Sequence, residues 1–255
     1  MIYRAGTSHI GSNFSCIDLL TVLFEQMDIE VDELVVSKGW VAASVYYFLS
    51  RKGVIPPEDL QRYCKAGEEK YIGLVEPQGC FGLRFAGGSM GYGLPAGVGF
   101  ALNRKQTKRA GHVYVLMSDG EQAIGTTHES ALIAGHHHLE NLTVIVDNNR
   151  FQAMGTTTDI LNVEPLERLW ESWGWNTHRI DGHNYIEIEQ ALRGYQIEYP
   201  DGIPIVSEKE KNNKPTVLIA DTIKGKGWKR AENDNKGHYL HVEESDYSEA
   251  MTELS

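Results

Sequence analysis

Two stretches decide the fold: HVYVLMSDGE at residues 112–121 and LTVIVDNN at residues 142–149. Each begins with a nearly unbroken apolar run, 112–117 and 142–146, and each ends in a cluster of carboxylate and amide side chains. Between them, residues 127–137 have the length and apolar spacing of a helix. Nearly continuous apolar strands alternating with helices indicate a parallel sheet covered on both faces. The expected fold class is α/β, a three-layer α/β/α arrangement with a mostly parallel sheet.

Working outward, residues 93–103 read as a helix rich in small residues, and 34–37 as a short buried strand followed by a Gly39 turn and a helix over 41–49. Residues 177–180 and 216–220 supply two further strands. Residues 1–15 read as turns, with a helix starting near Ser15 that Ser15 or Asp18 is placed to cap. Pro56-Pro57 precede a short helix over 58–64, and the polar stretch 194–214 reads as an exposed insertion. The chain, 1–255, is expected to form a single domain without internal repeats.

Composition narrows the function classes. With 24 Lys and Arg against 35 Asp and Glu, the formal charge is −11, and no stretch concentrates cations, which argues against a nucleic-acid partner. The cysteines are Cys16, Cys64 and Cys80, with no CxxC pair, which suits a reducing cytoplasm and offers no zinc site. No apolar run approaches the ~20 residues of a spanning helix, and the N-terminus lacks the pattern of a signal peptide. A cytoplasmic location is expected.

Ligands in open parallel sheets bind beyond the carboxyl ends of the strands. Asp119 and Asn149 stand 30 residues apart, one strand–helix–strand crossover, so two strands deliver a carboxylate and an amide to the same edge. Such hard oxygen ligands suit Mg²⁺ or Ca²⁺, with ligand phosphate oxygens completing the shell. Gly120 allows a phosphate to approach the backbone. Asp-Gly and Asn-Asn are also common turn residues; the pair, each after an apolar strand, favours a metal–diphosphate site.

The residues around this pair resemble a known family. Ser118-Asp119-Gly120-Glu121, followed by Asn149, resembles the thiamine-diphosphate motif that begins Gly-Asp-Gly and ends in Asn. Ser8-His9-Ile10-Gly11-Ser12, Ser37-Lys38-Gly39, Gly88-Ser89-Met90-Gly91-Tyr92-Gly93 and Thr222-Ile223-Lys224-Gly225-Lys226-Gly227 resemble, in order, further segments of the transketolases. The likeness is strongest to the bacterial kind split into two genes. It implies a thiamine-diphosphate-binding fold and thiamine diphosphate with Mg²⁺ as cofactors, Ca²⁺ being the alternative. It also implies transfer of a two-carbon ketol or acyl unit from a ketose or 2-oxo donor to an aldehyde.

By the same resemblance, Asp119, Asn149 and the Phe151 carbonyl hold the metal. Gly88, Ser89, Met90, Ser118, Gly120, Glu121, Asn149 and His238 face the cofactor, and His9 and His238 act in catalysis. Glu121 and Glu129 also match acidic positions near the subunit interface. The resemblance covers only the first domain of complete transketolases. It therefore implies a partner chain carrying the pyrimidine-binding domain and its activating Glu, in a heterotetramer. The alternatives are another thiamine-diphosphate class, the α-subunit of a 2-oxoacid dehydrogenase or a deoxyxylulose-phosphate-synthase-like chain, and a non-catalytic cofactor-binding subunit.

Two positions depart from the family. Trp40 stands where a His follows Ser-Lys-Gly, and Glu76-Pro77-Gln78-Gly79 replaces a loop that carries another His. Either the donor is less hydroxylated than an ordinary ketose phosphate, or Trp40 is a packing residue and the pocket is rebuilt elsewhere. The run His136-His137-His138 is expected at a solvated helix end, because consecutive helical residues point ~100° apart and do not converge on one ion.

Overall fold

The computed structural model describes residues 1–77, 83–85, 87, 89–198, 205–208, 212–235 and 238–255, apart from the side chains of 196–198 and 205–208. The chain begins with α1 (Ile2–Ala5), α2 (Ile10–Ser15) and α3 (Ile17–Gln26), then β1 (Glu33–Val36), α4 (Ala42–Arg51) and a 3-10 turn at Pro57–Arg62. Next come α5 (Gly93–Thr107), β2 (Val113–Ser118), a 3-10 turn at Asp119–Ala123, α6 (Gly125–His136) and β3 (Leu142–Asn148). After α7 (Thr157–Leu161), α8 (Leu166–Ser172), β4 (Asn176–Asp181) and α9 (Tyr185–Leu192), the strands β5 (Tyr195–Glu198) and β6 (Ile205–Glu208) precede β7 (Thr216–Asp221). A last helix, α10, covers Glu244–Glu253.

The main sheet has the order β1-β2-β3-β7-β4, and every pairing within it is parallel. Alternation along each strand sends side chains to opposite faces. Leu34, Val36, Leu116, Ile145, Leu218 and Ala220 join one core with α3, α4 and α9. Val35, Val115, Met117, Val144, Val146 and Ile219 join the other with α5, α6 and α8. The fold is therefore three layers, α/β/α, around a parallel sheet. No helix among the described residues is long and apolar enough to cross a membrane.

Residues 1–15 are not turns: two short helices occupy them. The sequence pattern misses them because each is too short to be stable by propensity and is held by packing instead. Gly6, at φ 62°, ends α1, and α2 buries Gly11, Ser12, Asn13 and Ser15. Within the stretch 194–214, the described strands β5 and β6 pair antiparallel in a separate two-stranded sheet. His136 closes α6, and His137 and His138 lie exposed beyond it.

The register fixes the site. Ser118 lies opposite Asp147, so β2 and β3 end side by side and deliver Asp119 and Asn149 to one edge. Asn148 lies opposite Asp221, which brings the loop after β7 to that edge.

Candidate active site

At the end of β2, Ser118 caps the 3-10 turn reciprocally with Glu121. Glu121 Oε2 accepts from the Ser118 backbone at 2.8 Å, while Oε1 accepts from the Gly91 backbone at 2.8 Å and from the Ser37 hydroxyl. Burial raises the pKa of Glu121, against the hydrogen bonds that lower it. The residue thus ties the ends of β1 and β2 to the loop before α5. Gly91 itself adopts φ 84°, a conformation that favours glycine, and a Cβ there would lie 2.6 Å from Ile124 Cγ2.

Asp119 spans from β2 to the loop after β3. Its Oδ1 accepts from Gly120 N at 2.8 Å and its Oδ2 from Arg150 N at 2.5 Å. Burial, reinforced by Asp147, raises its pKa to about 7, with Lys38 opposing. Asn149 Oδ1 accepts from Phe151 N at 3.0 Å. A carboxylate, a side-chain amide oxygen and the carbonyl of Phe151 therefore meet at one edge. Each bonded oxygen keeps a further lone pair. A hard divalent cation suits this donor set and would offset the cost of burying the Asp119 charge.

Beneath them lies a buried polar cluster. Lys38 Nζ donates to Asp147 Oδ2, to Ser15 Oγ at 3.1 Å and to the Ser12 carbonyl at 3.1 Å. Asp147 also accepts from Ser15 Oγ at 2.5 Å and from the Thr222 hydroxyl. Burial lowers the pKa of Lys38, but Asp147 and Cys16 outweigh it and the net shift is upward. One ion pair thus joins the end of β1, helix α2, β3 and the loop after β7.

His9 precedes α2 in the left-handed region, at φ 70°. This strained conformation, costing roughly 1–3 kcal/mol for a non-glycine residue, is held from both sides. His9 N donates to the His238 carbonyl at 3.2 Å, and the His9 carbonyl accepts from Asn13 Nδ2 at 2.9 Å. Its ring hydrogen-bonds Ser8 Oγ through Nδ1 at 2.7 Å and stacks on Trp40, centroids 4.5 Å apart and planes at 9°. The His238 ring meets it edge-on at 4.7 Å, and Lys224 Nζ lies 3.1 Å from His238 Nδ1. Burial, then the Lys224 charge, lowers both histidines to about 4, so both are neutral near pH 7. Burial, then Lys38, lowers Lys224 to about 8.

These groups surround a cavity of ≈ 470 Å³. Of the residues expected at the site, His9, Ser89, Met90, Ser118, Asp119, Gly120, Asn149, Phe151 and His238 all line it. Glu121 does not: its carboxylate is turned into the structure, so its part is to position the wall. Gly88 lies outside the described residues, as do Gln78 and Gly79 of the departing loop. Lys38, Trp40, Gln152 and Tyr239 also line the cavity and were not among the expected site residues. A lysine at the end of an apolar strand, in Val36-Ser37-Lys38, was the available signal for the first of these.

Comparison with known proteins bears directly on this cavity. Residues 1–254 match the family described as "Transketolase, thiamine diphosphate binding domain". One of the two named chains of the apulose-4-phosphate transketolase of Phocaeicola vulgatus is 32% identical, the alignment covering 100% of this chain and 89% of that relative. The 6-deoxy-6-sulfo-D-fructose transketolase subunit SqwG of a Clostridium species is also 32% identical, over 99% of this chain and 90% of the relative. The crystal structure of the Campylobacter jejuni transketolase superposes with a TM-score of 0.85 at 26% identity. The match covers 100% of this chain and 40% of the Campylobacter enzyme.

Proposed function

Because the chain belongs to the transketolase family, matching its thiamine-diphosphate-binding domain, we propose that it is the diphosphate-binding subunit of a two-chain enzyme, folded as a single domain. That enzyme moves a two-carbon ketol or acyl unit from a sugar or 2-oxo donor to an aldehyde. The partner chain supplies the pyrimidine-binding domain and its activating Glu, in a cytoplasmic heterotetramer. Neither nucleic acid nor membrane takes part. The naming of the Phocaeicola, Clostridium and Actinobacillus relatives as subunits of transketolases supports the division into two chains.

The observation that carries this proposal is the meeting of Asp119, Asn149 and the Phe151 carbonyl at one sheet edge, beside a cavity that holds two neutral imidazoles. In it, those three residues hold Mg²⁺, or Ca²⁺ in its place. Ser118, Gly120 and the Ser89–Met90 backbone lie along the diphosphate. When bound, thiamine diphosphate supplies the nucleophilic carbon and the electron sink for carbon–carbon bond cleavage.

The protein's own work is orientation and proton movement. With Nδ1 engaged by Ser8, His9 presents Nε2 as the ring nitrogen free to exchange a proton with a substrate oxygen. Its pKa of about 4 keeps that nitrogen unprotonated or singly protonated, and so able to act in either direction, at neutral pH. His238, with Nδ1 beside Lys224, offers its Nε2 in the same way. The Trp40 stack and the left-handed backbone fix the His9 ring, so that no side-chain reorganisation precedes transfer.

The test is turnover on mixing. This chain and its partner, each inactive alone, should together consume a ketose or 2-oxo donor only when thiamine diphosphate and Mg²⁺ are present. Cofactor binding in the complex without turnover of any donor would instead mark a non-catalytic subunit.

A further inference from the structure

The indole of Trp40 is 48% exposed, yet it is fixed in place. One face stacks on His9. Its backbone carbonyl accepts from Asn13 Nδ2 at 3.1 Å, the same amide that holds the His9 carbonyl, and Asn13 Oδ1 is in turn held by Ser44 N at 3.0 Å. At Gly73, an added Cβ would come within 3.0 Å of the indole atom Cζ3, so the chain there closes against the ring. Trp40 is thus an immobile aromatic wall whose exposed part faces the cavity.

The geometry points to Trp40 as a donor-selecting residue: its indole occupies the space beside His9 where a donor hydroxyl would otherwise be bound, matching the site to donors whose carbonyl carries a methyl group rather than a hydroxymethyl group. This rests on the two-carbon transfer proposed above. A donor carbonyl that exchanges a proton with His9 Nε2 places its substituent one bond away, alongside the indole stacked on that ring. The indole offers a hydroxyl no acceptor, because its only polar group is an N–H donor. Met90, Met154 and Ile160 add apolar surface to the same cavity, and Tyr239 meets His9 edge-on at 5.8 Å.

The transfer such donors undergo is balanced without any oxidant. In a 1-deoxyketose the bond between the carbonyl carbon and the adjacent carbinol carbon breaks, and its electron pair stays with the carbonyl carbon. The carbinol hydroxyl loses its proton and leaves as an aldehyde. The carbonyl carbon then bonds to the acceptor aldehyde, whose oxygen takes up a proton.

The experiment uses the complete two-chain enzyme loaded with thiamine diphosphate and Mg²⁺. The donors are 1-deoxy-D-xylulose 5-phosphate and D-xylulose 5-phosphate, which differ by one hydroxyl. Donor consumption is followed with ferricyanide as artificial acceptor, so that no aldehyde need be known. An apolar site discriminates against an added hydroxyl by up to about 10²-fold. The expected result is a kcat/KM ratio of about 10–100 in favour of the deoxy donor, retained in Trp40→Phe and reduced at least tenfold in Trp40→His. A wild-type enzyme that prefers D-xylulose 5-phosphate, or a ratio unchanged in Trp40→His, overturns the selection and leaves two-carbon transfer standing. Consumption of neither donor by the cofactor-loaded complex overturns both.

Discussion

Replacing Lys38 by Met would test how the site is held together. Lys38 Nζ makes three bonds, to Asp147, Ser15 Oγ and the Ser12 carbonyl, and both charged side chains are buried. Methionine keeps the length of the side chain and removes the charge, leaving Asp147 buried without its counter-ion. Breaking a buried pair by removing one partner costs about 3–5 kcal/mol. Set against a typical total stability of roughly 5–15 kcal/mol, that is a large fraction. With a urea dependence of ~3 kcal/mol per molar, the midpoint should fall by about 1–1.7 M. The double variant Lys38→Met, Asp147→Asn removes both charges. The Ser15 and Thr222 hydroxyls that now donate to Asp147 can rotate to meet the new amide. It should therefore be more stable than Lys38→Met alone. Equilibrium urea unfolding of the three proteins measures both quantities. A loss below about 1 kcal/mol in Lys38→Met, or strictly additive effects in the double variant, would refute the ion pair as the tie between these four segments.

Two further outcomes follow from the packing and the buried histidines. Gly135, in α6, brings its Cα so close to the turn after α8 that an added Cβ would lie 1.9 Å from the Trp173 carbonyl oxygen; Gly135→Ala should cost about 1–3 kcal/mol in a denaturant melt through overpacking, and a neutral result would mean the two segments separate freely. His112, bonded through Nε2 to Thr143 Oγ1 at 2.8 Å, is lowered to about 4 by burial, with Asp32 opposing. The unfolded chain then binds more protons than the folded one between its ordinary value and about 4, so stability is full above pH ~6.5 and is lost as pH falls through that window. Thermal unfolding of His112→Gln should show a slope shallower by up to ~1.4 kcal/mol per pH unit than the parent; parallel pH profiles would rule out a neutral buried imidazole.

The central strands were legible because their signal is strong and local. The apolar runs before Ser118 and Asp147 are strands within a residue or two of the expected limits, and strand parity put Asp119 and Asn149 on one edge. The N-terminal helices were not legible. A single turn such as Ile2–Ala5 has too few residues to display a period, and its stability comes from contacts made far along the chain. The roles of Lys38 and Glu121 were hidden for a related reason. Both are charged residues in a polar motif, and only the tertiary structure shows their charges buried, one against Asp147 and the other among Ser37, Gly91 and Ser118. Trp40 was visible as a departure from a motif. Its stacking on His9 required the fold, since 31 residues separate them.

The most direct test of the site is calorimetric titration of thiamine diphosphate into this chain co-purified with its partner, with and without Mg²⁺, for the parent and for Asp119→Ala. Binding that requires Mg²⁺ and disappears in Asp119→Ala is the predicted result. Equal binding in Asp119→Ala, or no binding by the intact complex, would contradict the assignment of this sheet edge as the metal–diphosphate site.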